Sequence, residues 1–199
     1  MSTPLSDEAL DRVFRSARTY NGYTDEPVSQ DQLRAIWDLM KWGPTSANQS
    51  PLRIVWCTSQ ESKDKLAQFC SAQNAPKVKK APVTAILAMD MEFYEKLPKL
   101  FPHVDARAWF LGNDGLIQES AFRNSTLQGA YFIIAARMLG LDTGPMSGFD
   151  THKVNEAFFA GTPYKTNFIS TLGHGDPASI FDRHPRLDFD EANQILCPL

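Results

Sequence analysis

Two stretches near the amino terminus place apolar residues at helical spacing behind a capping residue. In residues 6–17, SDEALDRVFRSA, the pattern follows Ser6. In SQDQLRAIWDLMKW it follows Ser29, and Gly43-Pro44 would end it. We therefore expect two capped, amphipathic helices before the polar segment GPTSANQSP.

Three short runs have the composition of buried strands: LRIVWCT, APVTAILAMD and, at residues 166–176, TNFISTLGHGD. SKDKLAQFCSA lies between the first two and predicts a helix. Helices and strands therefore mingle without the strict alternation of a parallel doubly wound sheet, which predicts an α+β fold.

The longest helical pattern runs from about Asp114 to Gly140, with Gly140 as its C-terminal stop. Its end, AYFIIAARML, is apolar on nearly all sides, as in a helix that is buried on several sides. In a protein this small, we expect a second subunit to supply part of that burial.

Composition narrows the class of protein. The chain has 199 residues, of which 43% are hydrophobic, so it can form one domain spanning 1–199 with a real core. A net charge of −3 gives no basic face for nucleic acid, and the chain has no long uncharged apolar run for a membrane span. The amino terminus resembles neither a signal nor a transit peptide, which favours the cytoplasm.

The cysteines and histidines give no sign of disulfide bonds or of a metal site. Cys57, Cys70 and Cys197 are far apart and odd in number, as expected of reduced thiols and not of a disulfide frame. The four histidines have no ligand spacing typical of zinc, so no metal site is expected.

Common nucleotide and nucleophile motifs are missing, but four polar segments remain. The sequence has no GxGxxG, no P-loop and no GxSxG motif. Three of them, ARTYNGYTDEPVS, GPTSANQSP and GLDTGPMSGFD (Gly140 to Asp150), are predicted to be loops, and the fourth, DRHPRLDF, lies near the carboxyl end. Each is compatible with plain turn chemistry or with a bound polar molecule. In the third, Gly144 and Gly148 are expected to leave backbone N–H groups open to close approach.

Taken together, five pieces in this order resemble the nitroreductase family of FMN-dependent oxidoreductases: ARTYNGY, MKWGPTSANQSP, FYEKLPKLFPHVDARAWF, AFRNSTLQGAYFI and GLDTGPMSGFD. The resemblance runs from about Ala17 to the carboxyl end and is closest to the malonic semialdehyde reductases of bacterial pyrimidine degradation. It implies a central, mostly antiparallel sheet flanked by helices. It also implies a homodimer with a long interface helix and FMN at the subunit boundary.

The resemblance also implies which residues hold the flavin phosphate. Arg18 and Thr19 occupy the phosphate element, and Asn21 stands where a second basic residue is usual, so binding must rely more on Arg186 and Arg183. Guanidinium groups suit this role because they bind phosphate oxygens bidentately.

For the flavin ring, the resemblance implies three groups. Residues along the ring edge are Pro44, Thr45, Ser46 and Asn48. Near the pyrimidine edge are Asn74 and Lys77, where a lysine would stabilise negative charge on the reduced ring. The segment facing N5 and O4 comprises Pro145, Met146, Ser147 and Gly148, acting through backbone N–H groups; Gly144, directly before it, is a further expected cofactor-binding residue.

His103, Arg107 and Trp109 belong to the segment that would cover the flavin face and bind substrate. Arg107 could pair with a substrate carboxylate or be an ordinary surface arginine.

The activity implied is ping-pong hydride transfer from NADH or NADPH through flavin N5, with no catalytic side chain required of the protein. The expected acceptor is a small aldehyde acid such as malonic semialdehyde, which would become 3-hydroxypropionate. A nitroaromatic or quinone reductase of the same fold, and a non-catalytic flavin-binding protein, stay open as alternatives.

Overall fold

A computed structural model describes residues 3–196 of the chain; Cys197 lies outside this range. Eight α-helices occur in it: α1 (Asp7–Leu10), α2 (Gln30–Met40), α3 (Gln60–Ala67), α4 (Ala75–Lys80), α5 (Leu97–Leu100), α6 (Asp114–Met138), α7 (Thr151–Phe159) and α8 (Phe189–Ala192). Shorter 3₁₀ turns lie at Ser46–Asn48, Phe93–Lys96, Ala106–Trp109 and Pro177–Ser179.

Four strands form one antiparallel sheet: β1 (Leu52–Cys57), β2 (Val83–Asp90), β3 (Asp142–Met146) and β4 (Tyr164–Gly173). Their order is β1-β2-β4-β3, so β1 and β3 are the edges. The predicted α+β class, with a sheet flanked by helices, is confirmed.

Helices cover both faces of the sheet, and β2 is therefore buried along its whole length. Leu87 packs on one face with Ile36 of α2 and Phe132 of α6. Ile86, its neighbour, packs on the other face among residues of α3, α4 and α7. This follows from the two-residue period of a strand, which sends successive side chains to opposite faces.

The predicted start of α2 and the predicted end of α6 are both confirmed by their capping residues. Ser29 forms a capping box with Gln32 at the start of α2. Gly140, which follows α6, has a φ of +82°, a conformation that glycine adopts without steric cost. Within residues 6–17, only α1 is α-helical and Asp11–Arg15 continues as a π-helix.

One prediction about secondary structure was wrong. The segment from Gly140 to Asp150 was expected to be a loop, yet residues 142–146 form β3 and pair with β4. Pro145 is tolerated there because β3 is an edge strand, where a missing N–H need not break a ladder on both sides.

Candidate functional site

A cavity of about 420 Å³ lies between the segment after α1, the end of α6 and the carboxyl-terminal tail. Besides Asp182 and His184, six polar residues line it: Arg18, Thr19, Asn21, Arg137, Arg183 and Arg186. Five of the six are residues that the sequence suggested for phosphate binding. The fold thus brings together groups that are more than 160 positions apart along the chain.

Arginine side chains hold the tail against the first segment. Arg18 donates to the carbonyl of Phe181. Arg183 Nη2 donates to the carbonyls of Arg15 and Ala17, at 2.9 and 3.0 Å. These bonds use some of the donors of each guanidinium and leave the others for a ligand.

The cavity carries an excess of positive charge. Its four arginines face a single lining carboxylate, that of Asp182. None of the ion pairs found among residues 3–196 involves any of the four. A cavity of this kind suits an anion with several oxygen atoms.

Asn21 does not act as a replacement cation. Its Nδ2 donates to the carbonyl of Ser179 at 3.0 Å, which fastens the beginning of the tail. Asn21 therefore borders the cavity mainly as a structural residue.

Arg137 is the cavity residue that the sequence reasoning missed. It lies in the last turn of α6. The available signal was a single arginine inside the apolar run AYFIIAARML, because a charged residue is rare in such surroundings unless it is paired or binds something.

Near the cavity, the first segment meets β3. Thr19 forms a parallel bridge with Thr143, and Tyr20 N–H donates to the Thr143 carbonyl at 3.2 Å. The predicted phosphate residues and the predicted ring-facing segment are therefore joined by backbone contacts.

Gly144 is required for packing inside the protein. It is buried in β3 opposite Thr171, and an added Cβ would lie 2.4 Å from Thr171 Oγ1 and 2.7 Å from the Tyr20 carbonyl oxygen. The expectation that Gly144 leaves its backbone open to a ligand was wrong, because the strand encloses it.

Ser147 and Gly148 are exposed where the chain leaves β3. The Gly148 carbonyl accepts from Ser71 N–H at 2.9 Å and from Asn74 Nδ2 at 3.2 Å. Asn74 is thus held against the segment that the sequence predicted to face the ring. Lys77 is in the first turn of the adjacent α4.

An open, mostly apolar groove of about 340 Å³ adjoins this exit. Pro145, Met146 and Ser147 line it on one side, and Ala130 and Ile133 of α6 on the other. A planar, partly apolar ring would find contact area here beside exposed backbone N–H groups.

Cys70 pairs with Phe149 close to this exit. Burial raises the pKa of its thiol to about 11, so it stays protonated near neutral pH and is a poor nucleophile.

The loop at residues 44–50 lies away from the arginine cavity, beside the amino-terminal half of α6. Gly43 packs on Tyr131, and the loop then follows α6 toward its amino-terminal half, where Ser46 N–H donates to Asn124 Oδ1 at 2.8 Å. At 1.5 Å per residue, Asn124 and Arg137 are about 20 Å apart along the helix axis. One chain therefore does not bring Pro44, Thr45, Ser46 and Asn48 to the arginine cavity.

This loop also has an unusual backbone. Ala47, Asn48 and Ser50 all have positive φ, at 47°, 51° and 42°. Thr45 Oγ1 accepts from Ser50 N–H at 3.1 Å, and Asn48 Nδ2 donates to the Leu100 carbonyl at 2.9 Å. Bonds within the chain thus maintain a conformation that L-residues adopt only at a cost.

The segment with the predicted substrate residues is packed and ordered by contacts. His103 and Trp109 both pack edge-on against Phe101. Arg107 forms two hydrogen bonds of 2.8 Å with the Glu95 carboxylate, which lower the pKa of Glu95 below its ordinary value. A substrate carboxylate would have to compete with Glu95 for Arg107.

Within residues 3–196, no three of the His, Cys, Asp and Glu side chains are grouped in a way that could hold a metal ion. In the same range no helix is long and apolar enough to cross a membrane.

The chain matches a known protein family over most of its length. Residues 14–174 match the Nitroreductase family. A relative from Burkholderia lata, provisionally named NADH dehydrogenase/NAD(P)H nitroreductase, is 58% identical over 193 residues, covering 97% of this chain and 99% of the relative. A relative from Stenotrophomonas maltophilia with the same provisional name is 57% identical over 195 residues, covering 98% and 100%.

Solved structures agree on the fold. A provisionally named nitroreductase from Exiguobacterium sibiricum, in complex with FMN, superposes with a TM-score of 0.84 at 20% identity, covering 98% of this chain and 100% of that one. A nitroreductase family protein from Streptococcus pneumoniae gives a TM-score of 0.80 at 20% identity, covering 94% and 98%. At this level of identity the likeness establishes the architecture.

Proposed function

The chain belongs to the nitroreductase family, and we propose that it is an FMN-dependent NAD(P)H oxidoreductase acting on a small aldehyde acid. The single observation that carries the cofactor assignment is the cavity with four arginines and one carboxylate. A flavin phosphate would meet bidentate donors there, and the ring would extend toward the exposed exit of β3. We further propose that the whole chain, 1–199, acts as one domain in the cytoplasm.

The residues present fit the ring as well as the phosphate. From Thr143 beside the cavity to Ser147, four residues of extended chain span about 13 Å at 3.3 Å each. Gly148 lacks the Cβ that would lie 2.7 Å from Asn74 Nδ2, so the two segments close against each other. Asn74 and Lys77 would then face the ring from one side.

FMN, when bound, supplies the redox chemistry by accepting hydride from NAD(P)H and returning it to the acceptor. The protein's part is to bind and orient. Ser147 and Gly148 would direct backbone N–H groups at the reacting edge of the ring, where a fixed donor stabilises developing negative charge. No side-chain acid or base is needed for the hydride step.

A homodimer would complete the site. One side of α6 carries exposed apolar side chains at Leu116, Leu127, Tyr131 and Met138. At 100° per residue these four positions fall within about 60° of one another, so they form one stripe along the helix. If α6 packs against its copy in the opposite direction, the partner's loop at 44–50 comes near the cavity end of this chain.

Malonic semialdehyde is the acceptor that we favour, because it has a carboxylate for Arg107 and an aldehyde small enough to share the ring face with His103 and Trp109. A nitroaromatic or quinone acceptor is the second candidate, and the names of the Burkholderia and Stenotrophomonas relatives favour it. A non-catalytic flavin-binding protein is the third.

One series of measurements separates these proposals. The purified protein should be yellow, should run as a dimer in size-exclusion chromatography, and should oxidise NADH or NADPH when an acceptor is added. Higher kcat/KM with malonic semialdehyde than with nitrofurazone or menadione supports the aldehyde-acid assignment, and the reverse order supports the second candidate. A flavin-loaded protein that oxidises neither nucleotide with any acceptor would be a binding protein. A colourless monomer that stays colourless after FMN is added contradicts the cofactor assignment.

A further inference from the structure

Arg137 has an unusual set of contacts. Its Nη1 donates to the Val13 carbonyl at 2.9 Å, and its own carbonyl accepts from Arg12 Nε at 3.0 Å. Its Nε is buried and has no hydrogen-bond partner. An unpaired donor on a buried cation costs more than one on a neutral group. Nη2, the remaining nitrogen of the guanidinium, is not buried and forms no hydrogen bond within residues 3–196, so it is the donor that a ligand in the cavity can reach.

Electrostatic surroundings add to this cost. Burial lowers the pKa of the Arg137 guanidinium from its ordinary value; nearby Asp142 opposes that effect, and Arg12 and Arg183 add to it. Asp142 forms no ion pair with Arg137 among the described residues. The cation is therefore partly desolvated and lies close to other cations, an arrangement that an anion in the cavity would stabilise.

Arg137 also supplies a positive charge that Asn21 does not bring to the cavity. Asn21 is neutral, and its Nδ2 is bound to the Ser179 carbonyl, so it brings no charge to the cavity. Arg137 lines the same cavity from the other side, on the rigid end of α6. A cation fixed on a long helix is better held in place than one on a loop or a tail.

We propose that Arg137 is a phosphate-binding residue of the FMN site, in which its Nη2 donates to a phosphate oxygen. The inference rests on the proposed function, since it assumes that the cavity holds the flavin phosphate. Arg18, Arg183 and Arg186 lie in irregular segments near the two ends of the chain, whereas Arg137 is carried by the long helix α6.

Apoprotein binding of two ligands tests the proposal. FMN and riboflavin share the ring and differ in the phosphate, so the ratio of their dissociation constants isolates the contribution of the phosphate. Arg137→Met keeps much of the side-chain volume and removes the charge. Arg34→Met is the matched control, because Arg34 is an exposed arginine on α2 that does not line the cavity.

In Arg137→Met the Kd for FMN should rise by about 10- to 100-fold while the Kd for riboflavin changes little, as expected for loss of a charge-assisted hydrogen bond. Arg137→Lys keeps a charge but loses Nε and the planar fork, so its ratio should fall between those of the parent and Arg137→Met. Arg34→Met should keep the parental ratio, since Arg34 is exposed and does not line the cavity.

Each other outcome overturns the proposal in a recognisable way. A parental FMN-to-riboflavin ratio in Arg137→Met means that Arg137 only anchors α6 to Val13, and a lower melting temperature with equal losses for both ligands means the same. Should Arg137→Met fail to fold, Arg137→Lys decides by the same ratio, and an unchanged ratio there refutes the inference. If the parent protein binds FMN no better than riboflavin, the assignment of the cavity to a phosphate is itself wrong.

Discussion

The two ends of α6 present polar groups in opposite ways. At the carboxyl-terminal end, four arginines line one cavity and no described carboxylate pairs with them. Beside the amino-terminal half, the loop at 44–50 bonds mostly with its own chain, as in the reciprocal bonds between Gln49 and Ser120. Charge without a partner marks a place for a ligand, whereas polar groups that are satisfied internally preserve a shape.

That shape is itself informative. Positive φ at a non-glycine residue costs roughly 1–2 kcal/mol, and the loop has three such residues. Buried bonds to Asn124 and Ser120 hold the strained backbone in place, while Pro44, Ser46 and Asn48 remain exposed. Stored strain beside an exposed polar edge is typical of functional loops. We therefore expect the loop to serve a site on a second copy of the chain.

Mixing two defective proteins should give the largest effect and tests whether the two regions meet across a dimer. Arg18→Met damages the cavity, and Asn48→Val places a β-branched residue where φ is positive. If each flavin site takes its cavity from one chain and its loop from the other, a heterodimer has one site with both defects and one intact site. Co-expressed, differently tagged variants should recover flavin in about half the heterodimer sites.

The absorbance of the doubly purified heterodimer, at an FMN concentration that leaves both parent variants largely colourless, measures this recovery. No recovery would mean that cavity and loop act within one chain, and the comparison between the two ends of α6 would lose its functional meaning.

The next largest effect is expected on the rate of flavin reduction, from substitution of Ser147, where the chain leaves β3. Ser147→Pro removes a backbone donor and fixes φ near −65°, whereas Ser147→Ala keeps the donor. We expect Ser147→Pro to slow the reductive half-reaction by about 10²–10³-fold and Ser147→Ala to stay close to the parent. Stopped-flow reduction by NADH or NADPH, on protein whose spectrum shows bound FMN, measures both. Equal slowing in the two variants would show that the hydroxyl, not the backbone, carries the function.

Removing single arginines from the irregular segments that line the cavity should have a moderate effect. Arg18→Ala and Arg186→Ala should each weaken FMN binding by about 1.5–3 kcal/mol, because each loses a charge-assisted hydrogen bond. Riboflavin should bind the variants and the parent almost equally. Fluorescence titration of the apoprotein gives both constants. A variant that holds FMN as tightly as the parent does would exclude that arginine from the phosphate site.

The smallest effect is expected on the loop side, at the pair formed by Arg107 and Glu95. Glu95→Gln weakens the competition for Arg107 and should lower the KM for malonic semialdehyde with little change in melting temperature, since the pair is solvent-exposed. Glu156→Gln is the matched control on α7, where Glu156 faces His152. An unchanged KM in Glu95→Gln, with a parental KM in Arg107→Met, would remove Arg107 from the substrate site.

Sequence alone determined the features that depend on neighbouring residues. Ser29 and Gln32 cap α2 through bonds three residues apart, and the long helical pattern from Asp114 predicted α6, which Gly140 follows. The three predicted strands are found because their composition is distinctive over six or more positions. The sequence also named the cavity arginines, because Arg18 lies in the family-like motif ARTYNGY and Arg183 and Arg186 lie in the short polar segment DRHPRLDF.

Only the tertiary structure decided the rest, because distant parts of the chain had to meet. Residues 142–146 have weak strand propensity, and pairing with β4 and with Thr19 makes them a strand. Arg137 is one charge in an apolar run until the first segment and the tail enclose it. The polar loop at 44–50 looked like a ligand-binding surface, yet its bonds to α6 could be known only after α6 was placed beside it. Local rules act over a few residues, whereas burial and the loss of hydrogen-bond partners depend on contacts between residues far apart in the chain.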